Sequence, residues 1–168
     1  MSNRMVKLAR RPKGMIVRDD FRLEEGAIPE PADNQFRVKI AYVSLDPAMR
    51  GWVNDTKSYV PPVAIGETMR AYAAGIVEKS NNPAFKTGDA VQGLFGVQNY
   101  AISDGSRVVK VDASQAPLQR WVGGLGMPGW TAYFGLLEVG QPKAGETVVV
   151  SAASGAVGSV VGQIAKIK

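Results

Sequence analysis

Residues 145–168 restrict the possible folds of this chain more than any other segment, because they join a strand pattern to a helix pattern through a glycine-rich turn. Residues 148–150 are three valines, a β-branched run typical of a strand covered on both faces. Gly155, Gly158 and Gly162 follow at spacings of three and four, which place small residues on one helix face. The segment therefore predicts a strand, a tight turn and a helix, with the helix backbone close to a neighbouring group.

The turn resembles part of the fingerprint G-x-G-x-x-G, in which a helix N-terminus holds the diphosphate of a dinucleotide. Ala153 stands where the fingerprint has its first glycine. The alternative is a turn whose glycines serve packing alone, and the pattern by itself leaves both interpretations open. A first βαβ unit takes roughly 30 residues, and the sequence ends at Lys168. We therefore expect either a fragment of a longer protein or partner segments supplied from elsewhere.

The composition excludes several kinds of catalytic site. The 168 residues include no Cys and no His, which excludes zinc sites with nitrogen or sulfur ligands and catalysis by Ser-His-Asp or Cys-His groups. No apolar run approaches the roughly 18 residues of a membrane-spanning helix, and the N-terminus lacks an apolar signal core. We expect a cytoplasmic protein without a metal, in which proton transfer uses Tyr, Lys, Asp, Glu, water or a cofactor hydroxyl.

The net charge is +5, and many of the basic residues come early in the chain. These residues are Arg4, Lys7, Arg10, Arg11, Lys13, Arg18 and Arg22. Such a cluster is found in nucleic-acid-binding proteins, but it also occurs on strand edges, where charges prevent edge-to-edge pairing. Because no nucleic-acid-binding motif accompanies the cluster, we favour the strand edge and expect no nucleic-acid partner.

Short strands separated by Gly and Pro dominate the chain up to about residue 112, which favours a small β barrel or a sandwich-like domain. Apolar and polar residues alternate most clearly at residues 36–42. Further strands are predicted at 5–9, 21–28, 69–77, 90–95, 98–102 and 108–111, with a bulge or bend at Gly75. Helical spacing begins at Leu118 and continues in a second helix at 126–137. The domain boundary is therefore expected near residue 115.

Two segments between the strands are candidates for the wall of a binding pocket, since loops at strand ends commonly carry binding residues. Asp46 and Pro47 predict a helix start, with the Asp46 carboxylate as the N-cap and the proline at the first helical position. A plain capped helical turn is the alternative interpretation. Tyr59 lies in a polar, proline-containing loop and is either a lid residue or a loop tyrosine that packs on the domain.

Four motifs in order, at residues 42–51, 66–70, 126–137 and 152–159, resemble the medium-chain dehydrogenase/reductase superfamily. Within it, the chain resembles the zinc-independent branch of prostaglandin, alkenal and curcumin reductases. The zinc-dependent branch has Gly-His-Glu where this chain has Gly66-Glu67. The resemblance implies an α/β fold: a GroES-like β-barrel domain at 1–114, then the first strand and helix of a truncated, NAD(P)-binding Rossmann domain at 115–168.

The same resemblance implies NADPH-dependent reduction of a carbon–carbon double bond conjugated to a carbonyl group. Hydride would go to the β carbon, and the resulting enolate would be stabilised by hydrogen bonding before protonation. The substrate would be a small enone or enal, and relatives are often homodimers. The choice of NADPH over NADH rests on the resemblance alone. We name no catalytic residue, because the tyrosine placed near the substrate carbonyl in relatives comes much later in sequence.

The resemblance also implies binding residues at named positions. The cofactor diphosphate would be lined by Gly155, Ala156, Val157 and Gly158. Met127 and Thr131 would lie near the nicotinamide, although a core methionine and a helix-turn threonine would give the same pattern.

The substrate pocket would include Ala48, where relatives usually have tyrosine, and Tyr59. The alternative to an enzyme is a non-catalytic GroES-like fragment or interaction module, and this chain alone is expected to be inactive.

Overall fold

The structure, a computed structural model, describes all residues of the chain and divides into two compact units, Met1–Ala113 and Ser114–Lys168. The first unit contains all of the strands and one short helix, and the second unit is helical. The predicted mixed α/β fold class is therefore confirmed. None of the helices has both the length and the apolar content that a bilayer-spanning segment requires.

The first unit is built from seven strands in two antiparallel sheets. The strands are β1 (Asn3–Leu8), β2 (Phe21–Gly26), β3 (Phe36–Val43), β4 (Ala73–Ser80), β5 (Ala90–Gly93), β6 (Tyr100–Ser103) and β7 (Val109–Lys110). β1 pairs with β2, and the other strands form a sheet in the order β6-β3-β4-β5-β7. The predicted β-rich domain is thus present, with most strand positions correct to within a few residues.

The largest difference from the predicted strands is the start of β4, which begins at Ala73 rather than at residue 69. The Met69 N–H donates to the Val6 carbonyl (2.8 Å), and the Met69 carbonyl accepts from the Val97 N–H (2.9 Å). The backbone groups of Met69 are therefore used to connect β1 with the segment before β6. Long-range pairing of this kind has no signature in the local sequence, so the local sequence placed the strand start too early.

Two apolar clusters form the core of the first unit. The first lies on the five-stranded sheet and contains Phe36, Val38, Ala73, Val77, Val91, Phe95 and Ala101. The Phe36 ring stacks on the Phe85 ring with a centroid distance of 4.3 Å. The second cluster contains Leu8, Trp52, Val53, Val63 and Met69 and thereby packs α1 (Ala48–Trp52) against β1.

Of the bulge or bend predicted at Gly75, the structure shows a bulge, which lies in β3 opposite Gly75 and explains why glycine is present there. The β3–β4 register shifts between Ile40 and Tyr42, which leaves Ala41 as an extra residue opposite Gly75 and Ala74. A Cβ atom on Gly75 would overlap the Lys39 carbonyl oxygen and lie 2.9 Å from the Ile40 Cα. Glycine is therefore required at this position because the two backbones approach too closely for any side chain.

The basic residues at the start of the chain are largely paired with carboxylates of the same unit. Lys7 lies 2.6 Å from Glu24, and Arg10 lies 2.8 Å from Asp20. Arg4 and Arg22 also pair with glutamates of β2. These charge pairs, of which Arg4–Glu25 and Lys7–Glu24 connect β1 with β2, support the interpretation of the cluster as a solvated strand edge.

One of these carboxylates is buried and supports a prediction about pH. Asp20 is 2% exposed, accepts from the Arg10 Nε (2.8 Å) and from the Val17 N–H (2.9 Å), and ends a short 3-10 turn before β2. The hydrogen bond from Arg10, followed by that from Val17, lowers the pKa of the Asp20 carboxyl. A lowered folded-state pKa stabilises the fold above the ordinary aspartate value of about 3.9, and this contribution disappears as the pH falls below it.

We therefore expect Asp20→Asn to lower the thermal midpoint at pH 7 and to weaken its dependence on pH below about 4. The measurement is thermal unfolding followed by circular dichroism from pH 7 to pH 3. Asp55→Asn is the matched control, since Asp55 is an exposed loop carboxylate that forms no ion pair. Equal behaviour of the two variants would contradict the role of Asp20.

The second unit contains α2 (Leu118–Trp121), α3 (Met127–Phe134), a π-helical turn (Gly135–Gly140) and α4 (Gly158–Ile167). The helix predicted at 126–137 is confirmed with Pro128 in its first turn, and its last residues are π-helical. Gly129 lies against the Gly124 carbonyl oxygen so closely that a Cβ atom would overlap it. Small residues thus allow α3 to pack against the loop before it.

The strand predicted at residues 148–150 does not form in the second unit, so this prediction was wrong. A strand requires a hydrogen-bonded neighbour, and the second unit contains no strand that could pair with it. Val149 is 90% exposed, whereas the prediction required burial on both faces. The turn before this segment is present, with Gly145 in a left-handed conformation (φ 87°).

Candidate functional site

The turn before α4 presents backbone donors at the positive end of a helix. The N–H groups of Ala156, Val157 and Gly158 donate to no backbone carbonyl, whereas the Ser159 N–H donates to the Gly155 carbonyl (2.9 Å). Ala156 and Val157 are exposed. Free N–H groups together with the helix dipole form a favourable place for an anion. The turn is therefore able to hold a phosphate or diphosphate group.

The glycines of this turn differ in what they do. A Cβ atom on Gly158 would overlap the Ala152 carbonyl oxygen and lie 3.0 Å from the Ala153 Cα. A Cβ atom on Gly155 would lie 3.1 Å from the same oxygen. Glycine is thus required by the turn at position 158, whereas at position 155 a side chain would make a tight contact that a small shift could relieve. A Cβ atom on Gly162 would meet nothing within 4 Å, so the close approach expected there does not occur within the second unit.

Met127 and Thr131 lie four residues apart on α3. The Thr131 hydroxyl donates to the Met127 carbonyl (2.8 Å), which is the helix-turn threonine that the sequence left open as an alternative. Thr131 is exposed and Met127 is 37% exposed, so neither is a core residue of the second unit. Both side chains can contact a ligand, and their assignment to a nicotinamide site stays a prediction.

A groove of about 490 Å³ lies between α4 and the loop before α3. Ala156 lines one part of it, together with Ser159 from the start of α4 and Arg120 from α2. Arg120 thus adds a positive charge to the groove that contains the turn residue Ala156. The free backbone N–H of Ala156 and the guanidinium of Arg120 would together favour a ligand with a negative charge.

Ala48 and Tyr59, the predicted pocket residues, lie on the first unit in exposed positions. Ala48 is the first residue of α1. Tyr59 lies in the loop after α1 and is 80% exposed. The loop position of Tyr59 agrees with either of its two interpretations, and the pocket assignment of both residues stays a prediction.

The predicted N-cap at Asp46 was wrong. Asp46 makes no side-chain hydrogen bond to the start of α1, because Pro47 already has helical angles (φ −55°, ψ −31°) and stands at the cap position. The Asp46 carboxylate instead accepts from the Ser44 hydroxyl (3.0 Å), and the Asp46 N–H contacts the Met49 sulfur (3.3 Å). The second carboxylate oxygen of Asp46 is buried and has no hydrogen-bond partner.

Tyr72 is a candidate that the sequence analysis missed. The Ser44 N–H donates to the Tyr72 carbonyl (2.8 Å), which holds this tyrosine beside the segment containing Asp46. Burial, followed by the charges of Asp46 and Tyr59, raises the pKa of the Tyr72 phenol above its ordinary value. The phenol therefore keeps its proton at neutral pH and is able to donate a hydrogen bond. Only the pairing of β3 with β4 brings these residues together, and no local pattern signals it.

Comparison with known protein families identifies the first unit. Residues 4–111 match a family described as the N-terminal domain of oxidoreductase. The chain belongs to this oxidoreductase family. Its resemblance to the prostaglandin, alkenal and curcumin reductases is confirmed as well, because relatives of all three kinds match 92–99% of the oxidoreductase chain.

Two curated relatives are each 50% identical to this oxidoreductase chain over 99% of its length. They are a putative NADP-dependent oxidoreductase, YfmJ, of Bacillus subtilis and an NADPH-dependent curcumin reductase of Escherichia coli. The matched region is 49% of the first relative and 48% of the second. The oxidoreductase chain thus spans about half the length of the curated relatives it matches.

A solved structure gives the same result for the fold. CurA from Vibrio vulnificus is 46% identical, with a TM-score of 0.92, over 99% of this chain and 49% of that one. The CurA structure in complex with NADPH has a TM-score of 0.91 over 98% of this chain. The fold of the oxidoreductase chain is therefore that of the matched half of CurA.

Proposed function

We propose that this chain is part of an NADPH-dependent oxidoreductase that reduces the carbon–carbon double bond of α,β-unsaturated carbonyl compounds. The observation that carries the proposal is the 50% identity with an NADPH-dependent curcumin reductase over 99% of the chain. A 2-alkenal reductase of Nicotiana tabacum, 41% identical over the same share, supports the substrate class. In this proposal residues 1–114 are the GroES-like domain, and residues 115–168 begin the NAD(P)-binding Rossmann domain.

The turn before α4 fits the diphosphate of NADPH. Three N–H groups that donate to no backbone carbonyl, those of Ala156, Val157 and Gly158, are the donors that a diphosphate accepts from. Gly155 and Gly158 keep the turn tight, and Met127 and Thr131 are proposed to contact the nicotinamide. When bound, NADPH supplies the hydride, which none of the amino-acid side chains can supply.

The first unit supplies the substrate pocket in this proposal. Ala48 and Tyr59 line it, and Tyr72 donates a hydrogen bond from its protonated phenol to the carbonyl oxygen of the substrate. Negative charge develops on that oxygen during reduction, so a positioned donor stabilises the transition state more than the ground state. Alanine at position 48 leaves more room than the tyrosine usual in relatives, which favours a bulky enone or enal. We further propose a cytoplasmic homodimer without a nucleic-acid partner.

The test is consumption of NADPH by the intact protein, translated from its own gene, in the presence of an enal or an enone. We expect reduction of the double bond, a preference for NADPH over NADH, and activity that survives a metal chelator. The 168-residue chain alone is expected to bind NADPH weakly or not at all, because the resemblance places most cofactor contacts later in sequence. Activity that depends on added zinc, or NADPH binding without turnover of any enal or enone, would contradict the proposal; the second result would favour a non-catalytic module.

A further inference from the structure

A cleft of about 570 Å³ opens on the first unit, between the end of β5 and the turn that joins β6 to β7. Its apolar wall consists of Leu94, Phe95, Ile102 and Val108. Its polar wall consists of Gln35, Ser103, Asp104, Ser106 and Arg107. The cleft lining is therefore mixed and exposes more polar than apolar surface, and the cleft volume lies in the range of sites for small organic ligands.

Arg107 has an unusual backbone conformation in this wall. Its φ of 59° lies in the left-handed region, which favours glycine and is uncommon for other residues. The turn that imposes it is well supported: the Ser106 N–H donates to Asp104 Oδ1 (2.8 Å), and the Val108 N–H donates to the Gly105 carbonyl (3.2 Å). An arginine held in a conformation that suits glycine suggests that the side chain itself has a use.

The charges around the cleft leave Arg107 available to a ligand. Arg107 forms no ion pair and no side-chain hydrogen bond within the first unit. Asp104 also lines the cleft, but its carboxylate already accepts from Ser106 within the turn. Gln35 and Ser103 are neutral. A ligand carboxylate could therefore accept from the guanidinium of Arg107 without displacing an existing partner.

The cleft also lies close to the proposed substrate pocket. The positive charge of Arg107 lowers the pKa of the Tyr72 phenol, whereas burial and the charge of Asp46 raise it. Leu94 follows Gly93, which pairs with Ala73, the residue after Tyr72. The apolar wall thus begins beside Tyr72 and leads toward Arg107.

We propose that Arg107 binds a carboxylate carried by the substrate, and that the apolar wall holds the hydrocarbon between this carboxylate and the unsaturated carbonyl group. The identity of that substrate rests on the proposed reductase function, whereas the cleft itself is present in the structure. It makes Arg107 a residue that determines specificity, while Tyr72 contacts the reacting carbonyl. The preferred substrate is accordingly an acidic enone or enal rather than a neutral one.

The test compares an enal that ends in a carboxylate with the methyl ester of the same compound. In the intact protein, kcat/KM for the acid should exceed that for the ester, and Arg107→Gly should lower this ratio roughly tenfold or more. Glycine suits the left-handed turn, so the variant is expected to fold. Arg107→Lys should restore part of the ratio, because it keeps the charge. Lys13→Ala, which removes a loop lysine outside the cleft, should leave the ratio unchanged.

A second measurement does not need the reaction. Binding of the acid to the 168-residue chain, followed by NMR, should shift the amide signals of residues 94–95 and 102–108 and should weaken in Arg107→Gly. Binding at these residues without reduction by the intact protein would retain the carboxylate site and reject the reductase function. Reduction with equal kcat/KM for acid and ester, or a ratio unchanged by Arg107→Gly, would overturn the role of Arg107 and leave the reductase function in place.

Discussion

Gly75→Ala is expected to destabilise the first unit by about 3 kcal/mol, the upper part of the range for overpacked sites. The added methyl group would overlap the Lys39 carbonyl oxygen, which belongs to the backbone of the neighbouring strand. No side-chain rotation can relieve such an overlap, so β3 or β4 must shift at the bulge. The shift would disturb the centre of the five-stranded sheet, because β3 and β4 are two of its three inner strands.

The measurement is urea unfolding followed by circular dichroism, with the midpoint expected to fall and the slope to stay constant. Gly51→Ala is the control, because a Cβ atom on Gly51 would meet nothing within 4 Å. Gly51 lies inside α1, where alanine is favoured over glycine by up to about 1 kcal/mol. An equal loss of stability in both variants would show that the overlap at Gly75 is not the cause.

Periodic segments of the chain were predicted well from the sequence because their signal is local. The alternation at residues 36–42 depends on neighbours in sequence and appears in the structure as β3. Gly75 was found because a glycine inside a strand pattern is unusual, although the close contact that requires it comes from the backbone of β3. The helix at 126–137 was equally clear, since Pro128 marks its first turn. Features of this kind follow from the requirement that one face of each element be apolar.

Two predictions failed for different reasons. Asp46 has the sequence of an N-cap, but Pro47 already stands at the cap position, and the Asp46 carboxylate accepts from Ser44 instead. Residues 148–150 have the composition of a buried strand, but a strand forms only beside a partner strand. Composition and local order therefore describe what a segment favours, whereas the partner that it finds decides what it becomes.

The candidate site shows the same division. The turn at Gly155 and Gly158 was found from the sequence because glycine spacing reflects a local backbone requirement. Tyr72 was missed because Asp46 is far away along the chain, and Arg107 because the cleft beside it forms only when the end of β5 meets the turn between β6 and β7. Tyr72 is distinguished by its partial burial near Asp46, and Arg107 by a left-handed backbone beside a cleft. Single residue types of this kind carry no pattern that a sequence analysis could detect.

Gly158→Ala is expected to abolish most of the NADPH affinity of the intact protein, with a loss of roughly tenfold or more. A methyl group here would overlap the Ala152 carbonyl oxygen, a backbone atom of the same turn. The turn would have to open, which would displace the N–H groups of Ala156, Val157 and Gly158 that are free to donate in the present turn. The measurement is a titration with NADPH followed by calorimetry, together with thermal unfolding of the same variant.

Gly162→Ala separates this effect from a general effect of glycine replacement. It makes the same chemical change four residues further along α4, where a Cβ atom would meet nothing within 4 Å of the second unit. Within the helix it should raise stability by up to about 1 kcal/mol, because alanine favours helices over glycine. Its NADPH affinity should be reduced far less than that of Gly158→Ala. Of these two glycines, only Gly158 is required by the backbone of the turn. If both variants bound NADPH as well as the unchanged protein, the turn before α4 would therefore not be the diphosphate site.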